Sequence, residues 1–511
     1  MANLLVHGKY LLNPAQPGEK TAVVQDAAVA VTGTSIAAVG SYSALKKHYP
    51  DYREVGSSEH LVMPGLIDVH HHGWGLSAIQ QGALDDTLEP WIYDLLMLKS
   101  PTNVYLDTLY GNMKLLESGV TTVLHSHFCR TGNYEDEVNA TLKAYETSGQ
   151  RVALALEVMN QHPFAYDDDW FLQHLSAPLR TQVEAALKAR PPMDRDTYLN
   201  LVEKYYTERN QEGAAKVKIL YGPINAVWTT PDILEAVGER VQQGRGLHLH
   251  VVETPYQAEY FFKHYGKSNI AWLHDMHLLG PRTSFAHAVW TTRDDLALLA
   301  ETGVTVCHNA SSNLRLRSGI APVAFMHERG VNIGVGTDGG TLNDDDDMVQ
   351  ELRLVSKLHR LPRPTSPWVS PHDVIRMATL NGARATLRTD AIGKLEPGRA
   401  ADIILVNLQT MTQPYLAPDI HMADAFVYRA KGTDVETAII DGELVMENRT
   451  HLRFNKTDLL AQLREAVAQP PTAQDLQRAD LFRQCRPVCV EFLNQYLDRE
   501  MAPQYVLNRM A

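Results

Sequence analysis

The stretch Pro64-Gly65-Leu66-Ile67-Asp68-Val69-His70-His71-His72 places three consecutive histidines at the end of a short apolar run. In a β-strand, residues two positions apart point to the same face, so His70 and His72 project together and His71 faces the other way. A surface histidine cluster is the alternative interpretation, and the strand context disfavours it. At the carboxyl end of a barrel strand, where active sites form, two such imidazoles supply half of a metal site.

Similar apolar runs follow, separated by longer helical stretches, up to about residue 390. A strand-then-helix repeat is typical of βα units and a parallel sheet. With the run at Leu66 there are eight plausible strands, enough to close a (β/α)₈ TIM barrel over residues 63–389. The seven further runs are 121–124, 152–156, 217–220, 247–252, 284–286, 304–306 and 333–336.

The two flanks of the barrel carry β-patterns. Residues 1–62 contain short strands broken at glycines, and residues 390–452 include a hairpin signal at Asp441-Gly442. We therefore predict one small β-sandwich domain built from both flanks. Residues 453–511 show helical periodicity, clearest at Leu459, Leu460 and Leu463, and are predicted to form a helical extension that covers a barrel face or a subunit contact.

Composition limits the class of protein. The 511 residues are 44% hydrophobic and 21% charged, which is ordinary for a globular chain with a large core. A net charge of −13 disfavours binding to phosphate backbones and anionic membranes, so we expect no nucleic-acid or membrane partner. The chain has no signal-peptide pattern, no long apolar span, and four scattered cysteines, so a cytoplasmic protein with free thiols is expected.

Four further polar residues follow predicted strands. His250 shares a strand face with His248, which we interpret as a core histidine, and Glu253 comes three residues after His250. His287 stands alone at a strand end, a pattern more often found in a core. Asp338 ends a buried run between glycines, where a carboxylate is costly unless it is paired or bound to metal.

The order of these motifs, closed by His308-Asn309-x-x-x-Asn313 and Gly-Thr-Asp338-Gly, resembles the amidohydrolase superfamily. More narrowly it is similar to the branch of cytosine deaminase, the methylthioadenosine and S-adenosylhomocysteine deaminases, and the s-triazine hydrolases. The resemblance spans nearly the whole chain. It implies one divalent ion, with zinc expected and iron, cobalt or manganese as alternatives. The implied metal ligands are His70, His72, His250 and Asp338.

The same resemblance implies roles for other side chains. Glu253 would be the proton shuttle, Asp338 would accept the first proton of the water, and His287 would hold the metal-bound hydroxide. His308, with Asn309 and Asn313 behind it, would line the substrate pocket. Oligomers in this superfamily lead us to expect a homodimer or homotetramer.

This chain departs from the pattern of the branch at two positions, and these limit what the resemblance implies about its substrate and metal site. Nucleoside deaminases of the branch have a substrate-contacting histidine where this chain has Ile224, which puts an adenosine-type substrate in doubt. Lys218 lies where binuclear relatives carry a carbamylated lysine, although a solvated or salt-bridged lysine is the better interpretation. Trp74 and Trp228 could stack on a flat substrate ring or serve as packing anchors.

The sequence therefore predicts a metal-dependent hydrolase acting on a small molecule. The first hypothesis is an aminohydrolase that deaminates an aminated N-heterocycle. The alternative is hydrolysis of another C–N, C–S or C–Cl bond at the same site, as in an amide, a thiocarbamate or a chlorotriazine. A binding protein without activity is a distant third, because all the implied ligands are present. The acidic run Asp344 to Asp347 is predicted to open a helix near Met348 and not to bind calcium.

Overall fold

The N-terminal flank forms four strands in the computed structural model. The structure describes residues 3–100, 103–189, 191–209, 215–360, 364–365 and 368–497. The strands are β1 (Leu4–Asn13), β2 (Ala22–Thr32), β3 (Ser35–Ser41) and β4 (Arg53–Pro64). Consecutive apolar residues occur along them, and side chains on both faces are buried, with Val6 and Val29 in one cluster and Leu5 and Ala28 in another.

Eight parallel strands then form the predicted barrel. Each pairs with the next in chain order, and an isolated bridge between His71 and Asp338 joins the last strand to the first. The barrel prediction is confirmed. The strands are β5 (Leu66–His71), β6 (Val120–His127), β7 (Arg151–Val158), β8 (Val217–Pro223), β9 (Leu247–Val251), β10 (Thr283–His287), β11 (Thr305–His308) and β12 (Asn332–Val335).

The C-terminal flank returns to the first sheet, as predicted. Strand β13 pairs antiparallel with β4, so the two flanks form one continuous eight-stranded sheet in the order β16-β15-β14-β13-β4-β1-β2-β3. The predicted hairpin at Asp441-Gly442 joins β14 to β15, and both turn residues have positive φ. The strands are β13 (Ile403–Asn407), β14 (Val435–Ile440), β15 (Glu443–Glu447) and β16 (Thr450–His451).

Helices surround the barrel and cover its ends. In chain order they are α1 (Tyr42–His48), α2 (Leu88–Met97), α3 (Val104–Glu117), α4 (Tyr134–Ser148), α5 (Asp168–His174), α6 (Ala177–Ala189), α7 (Arg195–Arg209), α8 (Pro231–Gln242), α9 (Pro255–Tyr265), α10 (Asn269–Asp275), α11 (Arg293–Thr302), α12 (Ala310–Arg315), α13 (Val323–Glu328), α14 (Gly340–Asn343), α15 (Met348–Leu358), α16 (Pro371–Arg376), α17 (Gly382–Ala385), α18 (Gln409–Thr412), α19 (Met422–Arg429), α20 (Lys456–Ala468) and α21 (Ala473–Tyr496). Short 3₁₀ turns lie at Ile79–Gln81 and Gly432–Asp434, and a π-helical segment at Met377–Asn381 precedes α17.

The C-terminal extension is helical where the structure describes it, and residues 498–511 lie outside the described residues. Helix α20 packs against α3, and α21 packs against α2, α5 and α6. The extension therefore covers helices on the outside of the barrel. Within the described part of the chain, no helix combines the length and apolar character needed to cross a bilayer.

Alternation along the strands decides which side chains enter the barrel. On β7, Leu154 and Leu156 face the surrounding helices, whereas Ala153 and Ala155 belong to a separate cluster inside the barrel. The same alternation carries Glu157 into the barrel mouth at the carboxyl end of the strand. Polar residues at such strand ends are therefore presented to a common site.

Candidate active site

The four side chains predicted to bind metal converge at the carboxyl ends of three strands. His70 lies near the end of β5 and His72 just after it, His250 lies on β9, and Asp338 follows β12. Asp338 Oδ1 is 3.1 Å from His70 Nε2 and 3.4 Å from His72 Nε2. His250 Nε2 lies 3.3 Å from His72 Nε2. One point at the barrel mouth is thus surrounded by three imidazole nitrogens and one carboxylate oxygen.

Two of these atoms indicate that the cluster fits a cation. His70 Nε2 and Asp338 Oδ1 are buried and have no hydrogen-bond partner among the described residues. Burying polar atoms without partners is costly, and a divalent ion at this point would satisfy both. Three imidazoles with one carboxylate are a donor set that suits zinc and the neighbouring transition metals.

The hydrogen bonds of the three histidines leave each Nε2 available. His72 Nδ1 donates to the carbonyl oxygen of Ser126 at 3.0 Å, and His250 Nδ1 donates to that of Ile224 at 2.7 Å. His70 Nδ1 lies 2.8 Å from His248 Nε2. Because a neutral imidazole carries one N–H, a donating Nδ1 leaves the Nε2 lone pair for a metal.

His248 supports the candidate ligand His70 from behind. It is fully buried, and its Nδ1 lies 2.8 Å from the hydroxyl of Ser284, which donates to the carbonyl of Leu247 at 3.3 Å. If His70 donates to His248 Nε2, every N–H and O–H in this series of hydrogen bonds has one acceptor. The sequence indicated a core histidine here, and the structure adds its contact with a ligand.

Strained backbone accompanies the strand ends. His287, Ala288 and Asp338 have φ values of 69°, 48° and 67°, and Val252 has a φ of 39°. Non-glycine residues in the left-handed region cost roughly 1–3 kcal/mol each, which the surrounding structure must offset. These bends turn the chain sharply where β9, β10 and β12 end.

Glu253 and His287 face each other beside the ligand cluster. His287 Nε2 lies 3.6 Å from Glu253 Oε2 and 3.8 Å from Asp338 Oδ2. Burial raises the pKa of Glu253 well above its usual range, and the negative charges of Asp338 and Glu89 add to that effect. Burial lowers the pKa of His287 to about 3, so its ring is neutral. A carboxyl group whose pKa is raised in this way is better suited to general acid catalysis than an ordinary glutamate.

The three residues predicted to line the substrate pocket lie behind the site. Asn313 Oδ1 accepts from His287 Nδ1 at 2.9 Å, and Asn309 Nδ2 is 3.4 Å from the same nitrogen. His308 is fully buried, with its Nε2 2.8 Å from His359 Nε2. Asn309 and Asn313 therefore orient His287, and His308 contacts another histidine in the interior.

The two tryptophans differ in position. The Trp74 ring lies 5.5 Å from the His72 ring, and the guanidinium of Arg130 lies 5.0 Å from the Trp74 ring centre. Trp228 is half-buried and packs edge-on against Tyr166 at 6.1 Å. Trp74 is therefore placed to contact a substrate bound beside the metal cluster formed by His70, His72, His250 and Asp338, whereas the contacts of Trp228 are those of a packing residue.

Lys218 does not reach the ligand cluster. It is buried near the beginning of β8, opposite Ala153 of the interior core. The residue that pairs with His250 is Asn225, beyond the carboxyl end of β8. The register therefore does not favour a second metal bridged by Lys218, because the lysine lies toward the opposite end of the barrel. Of the two environments expected for it, solvated or salt-bridged, its burial disfavours the first.

The acidic run has a structural role. Asp347 caps α15 by accepting from the backbone N–H of Gln350 at 3.1 Å, as predicted for a helix start. Asp346 is fully buried, 3.4 Å from His71 Nε2 and 2.7 Å from Lys114 Nζ. The histidine on the other face of β5 is thus held by a buried ion pair.

Glu157 is a buried acid that the sequence analysis missed. Its Oε1 accepts from the hydroxyl of Ser126 at 2.5 Å and lies 3.9 Å from Nδ1 of both His72 and His250. Burial raises its pKa. The available signal was the alternation Ala153, Ala155, Glu157 along a predicted strand, which places the glutamate inside the barrel.

A cavity of about 890 Å³ lies beside the metal cluster, and we call it the side cavity. Trp74 and Glu157 form its border with the cluster, and most of the rest of its lining is apolar. Its walls come from α2, α5, α6, the start of α7, the segments after β6 and β7, and Arg478 of α21. The volume lies within the usual ~300–1,000 Å³ range of small-molecule sites.

Comparison with known proteins places the chain in a family. Residues 61–445 match the model of the amidohydrolase family. The 5'-deoxyadenosine deaminase of Methanosarcina mazei is 31% identical over 80% of this chain and 86% of its own length. The 5-methylthioadenosine/S-adenosylhomocysteine deaminase of Syntrophomonas wolfei subsp. wolfei is 30% identical over 87% of this chain and 93% of its own.

Solved structures agree on the fold. The atrazine chlorohydrolase from Arthrobacter aurescens complexed with zinc superposes with a TM-score of 0.77 at 23% identity, covering 91% of this chain and all of that one. The chain belongs to the amidohydrolase family, and the resemblance inferred from its motifs is confirmed.

Proposed function

We propose that this protein is a zinc-dependent aminohydrolase that deaminates an aminated N-heterocycle. The observation that carries the proposal is the close approach of His70, His72, His250 and Asp338 to one another, beside the facing pair Glu253 and His287. Relatives about 30% identical over most of their length are named as deaminases, which supports the same reaction here.

The residues divide the reaction among them. His70, His72, His250 and Asp338 would hold the ion, which when bound would supply a Lewis acid that lowers the pKa of a water molecule toward about 7. Asp338 accepts the proton that the water loses. His287, neutral and oriented by Asn313, accepts a hydrogen bond from the water at Nε2 and aims it at the ring carbon.

Glu253 moves the remaining protons. Its protonated carboxyl donates to the ring nitrogen next to the carbon under attack, and the carboxylate then carries a proton from the added oxygen to the amine. A C–O bond forms, the C–N bond breaks, and ammonia leaves. The proton held by Asp338 returns to Glu253, which restores the site. Water enters and ammonia departs, so no further reactant is needed.

Ile224 favours a second candidate function. Its backbone carbonyl orients His250, and its half-buried hydrocarbon side chain cannot hydrogen-bond a substrate. A site with this substitution could hydrolyse a different C–N, C–S or C–Cl bond, such as that of an amide, a thiocarbamate or a chlorotriazine. Asp338, Glu253 and His287 would serve that reaction in the same way.

Ammonia release separates the two candidates. Zinc-loaded protein is incubated with aminopurines, their nucleosides, aminopyrimidines, pterins and aminotriazines. The proposal predicts ammonia from at least one ring and its loss on chelation. Metal-bound protein that releases no ammonia from any member, but hydrolyses an amide or a chlorotriazine, would favour the second candidate.

Three further expectations join the proposal. We place the catalytic barrel at residues 63–389, the composite sheet domain at 1–62 and 390–452, and the helical extension at 453–511. Strand β4 ends at Pro64 and α20 begins at Lys456, which supports the first and the last of these boundaries to within a few residues. Strand β13 begins at Ile403, later than the boundary at residue 390. We also propose a cytoplasmic homodimer or homotetramer, for which the resemblance to the superfamily is the support.

A further inference from the structure

The side cavity adjoins the reaction centre on the His72 side. Trp74, which borders the cavity, has its ring 5.5 Å from that of His72. Glu157, on the same border, has Oε1 3.9 Å from Nδ1 of His72 and of His250. A heterocycle whose amine-bearing carbon faces Glu253 and His287 can therefore extend a substituent past Trp74 into this space.

Apolar side chains dominate the cavity. Leu95 and Leu96 from α2, Phe128 after β6, Met159 after β7 and Leu172 from α5 line it. All five are half-buried, so their apolar surface is not fully covered by the protein itself. Covering that surface with an apolar group would contribute binding energy in proportion to the area removed from water.

The positive charges around the cavity already have acceptors. Lys99 Nζ donates to the carbonyls of Val467 and Gln469 at 3.1 and 2.7 Å. Arg130 pairs with Asp107 at 3.0 Å.

Arg478, the third cation of the described lining, is equally engaged. It donates to the carbonyls of Leu96 and Leu98 at 3.0 and 2.6 Å and pairs with Asp475 at 2.9 Å. Glu157 adds an acidic group to the wall. An anionic substituent would have to compete with these existing partners for the cations of the wall, which disfavours its entry into a mostly apolar space.

We propose that the side cavity receives the non-reacting part of the substrate and selects a neutral, apolar substituent over one that ends in a carboxylate. The inference rests on the proposed function, because it takes the metal cluster as the place where the ring reacts. Helix α21, outside the region that matches the family model, completes the pocket through Arg478.

Two adenine nucleosides test this selection. The 5'-methylthio nucleoside ends in a neutral thioether, and S-adenosylhomocysteine ends in a charged amino acid on the same scaffold. Binding is measured by calorimetry on the metal-loaded Glu253→Gln variant, so that turnover does not interfere. We expect the thioether to bind roughly tenfold or more tightly than the charged compound.

A matched pair of substitutions locates the binding. Leu172→Trp on α5 fills the cavity, whereas Leu199→Trp on α7 changes a similarly half-buried leucine that packs against the same core but does not line the cavity. In the Glu253→Gln background, Leu172→Trp should raise the Kd of the thioether by roughly tenfold, and Leu199→Trp should leave it unchanged.

The results separate this proposal from the proposed function. Equal binding of the two nucleosides, binding of neither, or indifference to Leu172→Trp would overturn the cavity assignment. Selective binding that Leu172→Trp abolishes, in a protein whose unsubstituted form releases no ammonia, would retain the assignment and reject deamination. Ammonia release without selectivity between the two nucleosides would retain deamination and reject the cavity assignment.

Discussion

The metal cluster and the side cavity share the barrel mouth but are built in different ways. The cluster brings together polar atoms from short motifs, each at the end of one strand. The cavity is lined by mostly apolar side chains from at least seven segments, including the C-terminal helix α21. A few residues at fixed positions therefore specify the reaction, whereas the choice of substrate depends on how helices and loops pack.

Loss of a ligand should break the cluster most severely. His250→Ala removes one of three imidazoles, so we expect the protein to lose most of its zinc and at least about 10³-fold of its ammonia release. Metal analysis and an ammonia assay measure both. The exposed His274→Ala on α10 is the control and should behave like the unaltered protein. Zinc retained in full by His250→Ala would contradict the assignment.

Loss of the proton shuttle should leave the metal in place. Glu253→Gln keeps the size of the side chain but cannot carry a proton, so kcat should fall by about 10²- to 10⁴-fold with zinc content unchanged. Glu259→Gln on the following helix α9 is the control. Substantial turnover by Glu253→Gln would remove this residue from the reaction.

A smaller effect is expected where a residue only orients another. Asn313→Leu removes the acceptor that fixes His287 Nδ1, so kcat should fall by roughly 10- to 100-fold while zinc content stays the same. Asn313→Asp restores an acceptor and should recover part of the activity. If both variants were equally impaired, a packing role would explain the residue better than orientation.

The smallest change should come from the wall of the cavity. Arg478→Met removes three hydrogen bonds to the end of α2 and the segment that follows it but leaves the metal cluster intact. The KM for an apolar-substituted substrate should rise by about two- to fivefold, with kcat unchanged, because only the pocket loosens. A loss of kcat at unchanged KM would mean that α21 acts on the reaction centre instead.

Part of the reaction centre could be predicted from strand geometry. His70 and His72 two positions apart must share a face, and the carboxyl ends of barrel strands meet. His250 and Asp338 were added to the expected ligand set by the resemblance to the family. Glu253 lies against His287 as the motif order implied.

Contacts between segments that are distant in the sequence could not be predicted from local patterns. His308 was expected at the pocket, but its partner His359 lies on a later segment that no local pattern connects to it. Glu157 was missed because a lone acid in an apolar run carries no motif. The side cavity depends on the position of α21 against α2, which periodicity predicts as a helix but does not place.

Titration of metal-free protein with zinc tests the central claim most directly. The rate of ammonia release from the best substrate is recorded at each addition. The rate should rise in proportion to bound zinc and level off at one equivalent per chain, since the proposed ligand set His70, His72, His250 and Asp338 would hold one ion. Release that is independent of zinc, or that continues to rise to a second equivalent, would contradict the account.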